Sequence, residues 1–318
     1  MTIIRPYRVD DAAAVCEVWN QQVPNYYLTP ESLTHDDEQV ERPEDAGRIV
    51  AERDGRVVGA ADYELPVGMD APGQIIVHVY VDPTAEGTGV GTMLYEALMA
   101  LIEPLEPTSL RSEVSEAHSY ARAVAEKHGY TVDKTDWQMI ADLTTFDIEE
   151  HRHHLDRVAD DGIRIASVAE LGNDESTQRM FYDVFTTVRG DVPRSHPPAP
   201  VSWDVFKSHN LDAPDFLADL TLVAFDGDDA VGTTMSYAGG DEPELHTGLT
   251  GVVRNHRGRG IARALKIEAL RRAKADGRRR ALTDNDENNV AMLAVNESLG
   301  YQRQPAMFSL SKAVAPDR

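Results

Sequence analysis

The stretch Val252-Val253-Arg254-Asn255-His256-Arg257-Gly258-Arg259-Gly260-Ile261-Ala262-Arg263-Ala264-Leu265-Lys266 runs from strand-like residues, through a turn of glycine and arginine, into a helix-forming run. A helix opened this way leaves its first backbone N–H groups without intrahelical partners, and its dipole adds positive potential there. Gly258 and Gly260 remove side chains where an anion has to approach the backbone. The stretch therefore predicts a phosphate-binding strand–turn–helix. A dinucleotide fingerprint would need glycine at Arg263, and a Walker loop would need Gly-Lys-Ser/Thr at its end; neither pattern is present.

A second copy of the pattern lies upstream at Glu86-Gly87-Thr88-Gly89-Val90-Gly91. Gly89 and Gly260 are 171 positions apart, and so are Gly129 and Gly300, and Tyr130 and Tyr301. Two separate landmarks with one offset indicate a duplicated unit with an ungapped core. The order of elements agrees. In the first half, a strand near Ile3–Tyr7 leads to a helix from Asp10, and a loop with a short helix fills Gln21–Glu44. Asp54-Gly55 then joins the strands Arg48–Asp54 and Arg56–Leu65, the strand Gln74–Val81 precedes the loop, and Ser109–Val114, a helix Ala117–His128 and a strand Trp137–Leu143 follow. In the second half, Ile163–Val168, the helix Asp174–Val188, a proline-rich loop Val192–Pro200 and the hairpin Leu220–Tyr237 lead to the opening stretch. Its helix reaches Ala275, and a strand Arg280–Thr283 and a helix Asn289–Ser298 come next. The reading divides the chain into residues 1–148, a linking helix at 149–162, and residues 163–318.

At 318 residues the chain is long for one core. Its formal net charge of −23 opposes general nucleic-acid binding, which needs basic surface to replace counterions. No run of about eighteen apolar residues is present and the N-terminus lacks a basic-then-apolar leader, so a cytoplasmic protein without a membrane partner is expected. The single cysteine, Cys16, excludes a disulfide within the chain and is expected to be a buried thiol. His151, His153 and His154 read as a solvated helix face rather than a metal site, and no metal is expected.

Arg257-Gly258-Arg259-Gly260-Ile261-Ala262 resembles the Arg/Gln-x-x-Gly-x-Gly/Ala pyrophosphate loop of the GNAT acyltransferase superfamily, and Asn296-Glu297-Ser298-Leu299-Gly300-Tyr301 resembles the ending of its domain. The resemblance covers both halves. It implies an α/β (α+β) fold of two GNAT domains in tandem, each a mixed, mostly antiparallel central sheet flanked by helices. It also implies acetyl-CoA as cosubstrate and a primary amine, in a small molecule or a peptide, as acceptor. Carried onto this chain, Val252 and Val253 offer backbone groups to pantetheine, Arg257, Gly258, Arg259, Gly260, Ile261 and Ala262 wrap the pyrophosphate, and Asn288 contacts the pantetheine arm, with Asn289 beside it.

The two copies are unequal. Between Arg254 and Arg280 there are eleven Lys or Arg against two acids, a local charge of +9, whereas Pro83–Ser109 has four Glu and no base. Glu86 stands where the loop pattern wants Arg or Gln, and Ala117 where the second copy has Asn288. Catalysis is therefore expected in the second domain, with Gly87, Gly89 and Gly91 keeping a possible second coenzyme site sterically open. The general base is expected on the strand before the loop, at Glu244 or His246, or at Asp284 on the next strand. The family's acid tyrosine falls at Asn296 and Ala125, which cannot deliver a proton, leaving Tyr301 as substitute. The competing class is a non-catalytic acyl-CoA sensor on the same fold.

Overall fold

Asp54 and Gly55 both take positive φ, 53° and 80°, the pairing that a two-residue hairpin turn demands. They join two strands of a larger sheet in a computed structural model that describes residues 1–23, 25–192, 196–239 and 243–314. By its contacts the chain divides into two compact units: Met1–Asp136 with Ser195–Ala199 and Pro305–Arg318, and Trp137–Arg194 with Pro200–Gln304.

Unit 1 contains β1 (Thr2–Pro6), α1 (Ala12–Gln22), α2 (Pro30–Glu38), β2 (Ala46–Arg53), β3 (Arg56–Glu64), β4 (Gln74–Val81), α3 (Val90–Ile102), β5 (Ser109–Ser115), α4 (Ser119–Lys127) and the first half of β6 (Thr131–Asp142). Thr29 caps α2 by accepting from the Ser32 N–H, with Pro30 at the first helical position where its missing donor costs nothing. The strands run β1-β2-β3-β4-β5 and then a strand from near the C-terminus, Met307–Ala313, which lies antiparallel to both β5 and β6. Among the described residues of unit 1, β4 and β5 are the parallel pair. Alternation sorts the sheet into two cores. Ala51, Ala61, Ile75 and Val77 pack with Leu94, Leu98 and Ile102 of α3, while Val50, Ala60 and Tyr80 pack with Val15, Cys16 and Val18 of α1. The Cys16 thiol is 3% exposed, and burial pushes it up to about 11, so it packs as an inert apolar group.

Unit 2 contains the rest of β6, α5 (Ile148–Asp160), β7 (Ile163–Ser167), α6 (Glu175–Arg189), α7 (Trp203–Phe206), β8 (Leu222–Asp226), β9 (Asp229–Gly239), β10 (Glu244–Val252), α8 (Ile261–Ala275), β11 (Arg280–Asp286), α9 (Val290–Ser298) and β12 (Gln302–Arg303), which pairs with β6. The remaining strand, Met307–Ala313, is β13 of unit 1. Strand order is β7-β8-β9-β10-β11-β6, with β10 and β11 parallel. Val252, Ile261, Ala264 and Leu265 pack with Val158 of α5 on one face, and Phe181, Phe185 and Phe206 with Val223 and Met235 on the other. The expected loop Val192–Pro200 falls partly on residues 193–195, which lie outside the described residues.

Besides α7 and β12, for which the sequence reading has no counterpart, β6 and β13 differ from it. β6 begins at Thr131, six residues ahead of Trp137, because Thr131–Asp136 pair with β13. β13 itself was not read, although Phe308 and Leu310 alternate with Ser309 and Ser311 as a one-faced strand requires.

Candidate functional site

In both units the parallel pair of strands parts shortly after it forms. β4 and β5 pair from Gln74/Ser109 to Ile76/Arg111, and β10 and β11 from Glu244/Arg280 to Thr247/Thr283. In unit 2 a β-bulge between Thr247 and Thr250, opposite β9, bends β10 at the fork. A glycine loop and a helix start follow each first strand. Gly89 and Gly260 are the N-cap residues of α3 and α8, with φ of 87° and 84°, a conformation that any side chain would strain.

The loops differ in what covers them. In unit 1, a Cβ added at Gly87 or Gly89 would meet nothing within 4 Å. Beside the loop is a cavity of about 400 Å³, floored by Val77, Val79 and Val81 and walled by Tyr95, Val114 and Tyr120. Glu86 accepts from Gln22 Nε2 at 3.1 Å, and Arg53 donates to Thr88 Oγ1 at 2.9 Å.

In unit 2 the space above Gly258 is open, but a Cβ at Gly260 would lie 2.8 Å from Arg157 Nη2 of α5. The loop arginines have anionic partners. Arg254 and Arg257 share Asp191, whose carboxyl they hold down to about 2, and Arg257 Nε also donates to the Val252 carbonyl at 2.9 Å. Arg259 pairs with Asp226 at 2.7 Å and donates to the Asp161 carbonyl at 3.0 Å. Val253 donates its N–H to the Val231 carbonyl. Asn288 is exposed, its own N–H capped by Asp286, and Asn289 caps α9 through Met292.

The expected catalytic residues separate in this unit. His246 Nε2 and Asp284 Oδ2 come within 3.1 Å, across β10 and β11. Glu244 is instead paired with Arg280 at 2.5 Å. Tyr301 is 3% exposed, and burial raises its hydroxyl above the ordinary phenol range, so it holds its proton firmly. The Lys266 ammonium lies 5.3 Å from the centre of the Tyr301 ring and reaches Thr283 Oγ1 at 3.5 Å. Lys266 is 2% exposed, and burial brings it down to about 7. It occupies the fork of the strands, at the register position of Tyr95. Asn296 is buried and donates to Asn285, a structural role.

Sequence reading missed one cluster. On the α1 face of unit 1, Asp62 of β3 sits directly opposite His78 of β4, with Oδ1 to Nδ1 at 3.1 Å. Tyr80 also donates to Asp62, and Arg48 approaches it at 3.6 Å while pairing with Asp37 at 2.8 Å. Gln74–Val81 reads as simply apolar unless His78 and Tyr80 are set opposite Asp62.

Among the described residues, no group of three His, Cys, Asp or Glu side chains could hold a metal ion, and no helix is long and apolar enough to cross a membrane. His151 stacks on Phe146 at 5.2 Å, and His154 lies 3.5 Å from Arg263.

The acetyltransferase (GNAT) family profile matches residues 12–130 and 185–301, segments that end on the Tyr130 and Tyr301 pair. No curated protein sequence matches the chain. Solved structures with this fold include a GCN5-related N-acetyltransferase from Sphaerobacter thermophilus, 20% identical over 100% of this chain and 97% of that one, TM-score 0.70. A tandem GNAT protein from the clavulanic acid biosynthesis pathway is 18% identical over 100% of both chains, TM-score 0.73. A putative acetyltransferase from Pyrococcus horikoshii is 13% identical over 99% of this chain and 90% of that one, TM-score 0.58. With two parted strand pairs, two glycine loops and two matched segments, the chain belongs to the acetyltransferase (GNAT) family and is an acyltransferase built of two such domains in tandem.

Proposed function

We propose that the chain transfers the acetyl group of acetyl-CoA directly to a primary amine, and that the working coenzyme site is the cleft of unit 1. The observation that carries this reading is the open gap of about 400 Å³ beside a glycine loop whose Gly87 and Gly89 leave room for phosphate. The N–H groups of Val90, Gly91 and Thr92 open α3 and serve as anion donors. Val77, Val79 and Val114 supply an apolar channel for an extended thiol arm. Acetyl-CoA brings an activated acyl group; the chain's part is to hold it at the fork, exclude water and accept the ammonium proton.

A second reading places turnover in unit 2, through Val252, Val253, the loop Arg257–Ala262 and Asn288. It is favoured by the β10 bulge and by the His246–Asp284 pair. Titration calorimetry with acetyl-CoA, together with thiol release across a panel of primary amines, separates the two. Gly89→Trp is expected to abolish binding and turnover, and Gly260→Trp to spare both, each variant being checked for an intact thermal transition. The opposite pattern sinks the unit 1 reading.

A further inference from the structure

The gap in unit 1 is lined by Val77, Val79 and Val81 of β4 and also by Glu113 of β5 and Gln22 of α1. Val77, Val79 and Val81 point to the α3 side, so His78 and Tyr80 point to the α1 side. Register extends this face: Arg48 pairs with Asp62, Asp62 with His78, and Ile76 with Arg111, two positions before Glu113. Glu113 lines the cavity and, with Asp62 and Glu64, acts electrostatically on His78. An amine on the α1 face of β4 would meet His78 beside Glu113, the member of this group that lines the gap. The coenzyme arm, on the reading above, lies on the other side.

The pair His78–Asp62 is built for a fixed orientation. Both side chains are partly buried, at 19% and 15% exposure. The imidazole donates from Nδ1 to Asp62, which leaves Nε2 to carry the lone pair in the neutral ring. Trp19 of α1 packs edge-on against His78 at 6.1 Å and against Tyr80 at 4.9 Å, limiting rotation of the ring. Asp62 is itself over-determined, because Tyr80 donates to it and Arg48 stands 3.6 Å away.

We propose that His78 is the general base for the acetyl transfer in unit 1, and that Asp62 is its positioning residue. The proposal rests on the unit 1 coenzyme reading. In the step, the ammonium of the acceptor gives its proton to His78 Nε2. The amine nitrogen then forms a bond to the thioester carbon, the carbon–sulfur bond breaks with its electron pair on sulfur, and the thiolate takes up the second proton that the acylated nitrogen gives up. His78 returns its own proton to solvent, so acetyl-CoA and ammonium yield amide, thiol and one released proton.

The electrostatic surroundings agree in direction. Burial disfavours charge on His78, but the hydrogen bond and charge of Asp62 outweigh it, aided by Glu113 and Glu64, and hold the imidazole above its ordinary range. Burial likewise favours the neutral acid at Asp62, and His78 and Arg48 overcome that effect. Arg48 is in turn tied to Asp37 of α2. Arg111, on the same face, donates to Ser309 at 2.9 Å.

The test uses the full chain and the panel amine turned over fastest. His78→Gln is expected to lower kcat by about 100-fold or more, within the range of a lost general base, while the calorimetric Kd for acetyl-CoA stays within about twofold. Asp62→Asn is expected to lower the NMR titration midpoint of the His78 ring and to move the acidic limb of the kcat profile to lower pH by the same amount, with Asp62→Glu restoring part of both. Turnover of His78→Gln within about threefold of the parent, or a His78 midpoint unmoved by Asp62→Asn, overturns the proposal. Failure of the underlying coenzyme reading looks different: acetyl-CoA binding is then lost in Gly260→Trp and kept in Gly89→Trp, whatever His78 does.

Discussion

The two glycine loops differ in their surroundings in a way that their sequences do not show. The loop of unit 2 sits in a stretch of net +9, yet Arg254, Arg257 and Arg259 are committed to Asp191 and Asp226. The loop of unit 1 has Glu86 in the basic position and no Lys or Arg nearby in sequence, yet it faces an open gap. Charge counted along a chain is not charge delivered at a point. The neutralising aspartates lie 63 and 33 positions from Arg254 and Arg259, outside any local window. What a phosphate needs is uncommitted donors and room, and backbone N–H groups at an uncovered helix start supply both.

The comparison can be broken most directly at the glycines. A Gly89→Trp substitution should cut turnover by two orders of magnitude or more, in keeping with loss of the bound cosubstrate, while Gly260→Trp leaves steady-state rates near the parent's. Equal losses in both variants would end the distinction between the units.

Next in size is Lys266, the residue that fills the fork of unit 2. Its folded value of about 7 lies below the ordinary lysine value of 10.5, so the unfolded chain binds more protons between those limits. Stability should therefore rise as pH increases from about 7 towards 10, with the full penalty present below 7. Lys266→Met should stabilise unit 2 at neutral pH by on the order of a few kcal/mol and flatten that slope in denaturant titrations. A methionine variant with an unchanged slope would place the pH dependence elsewhere.

The smallest effect sharpens the electrostatic half of the comparison. Glu86→Gln removes a carboxylate beside the unit 1 loop, and the Kd for acetyl-CoA should fall by roughly three- to tenfold at low salt, an effect of about 1 kcal/mol. The gain should shrink as ionic strength rises. Asp191→Asn in unit 2 frees Arg254 and Arg257; a second binding event in calorimetry is the expected result, and continued single-site binding would show that Arg157 and Lys266 suffice to close that site.

Much of this was legible locally. Glycines that need positive φ, at Gly55, Gly89 and Gly260, marked turns and helix starts, and the Asp54-Gly55 turn marked the strands on either side of it, β2 and β3. The repeat was legible because Gly129 and Gly300 end equivalent helices. Less accessible were features set by distant partners. Lys266 and Arg259 counted as local positive charge in the sequence because nothing nearby in the chain covers them, whereas Tyr301 and Asp226 do so in space. The His78–Asp62 pair depends on strand register, which an apolar-looking strand does not announce.

β13 carries a further consequence, one of timing. A ribosome delivers β5 and the start of β6 long before Met307–Ala313, the strand that lies between them and pairs with both. The first sheet to be synthesised is thus the last to be closed. Until then two strand edges stand unpaired, the situation that invites association between nascent chains. A fragment covering residues 1–148 would keep those edges permanently. Full-length synthesis, or supply of the last strand as a separate peptide, is what would heal them.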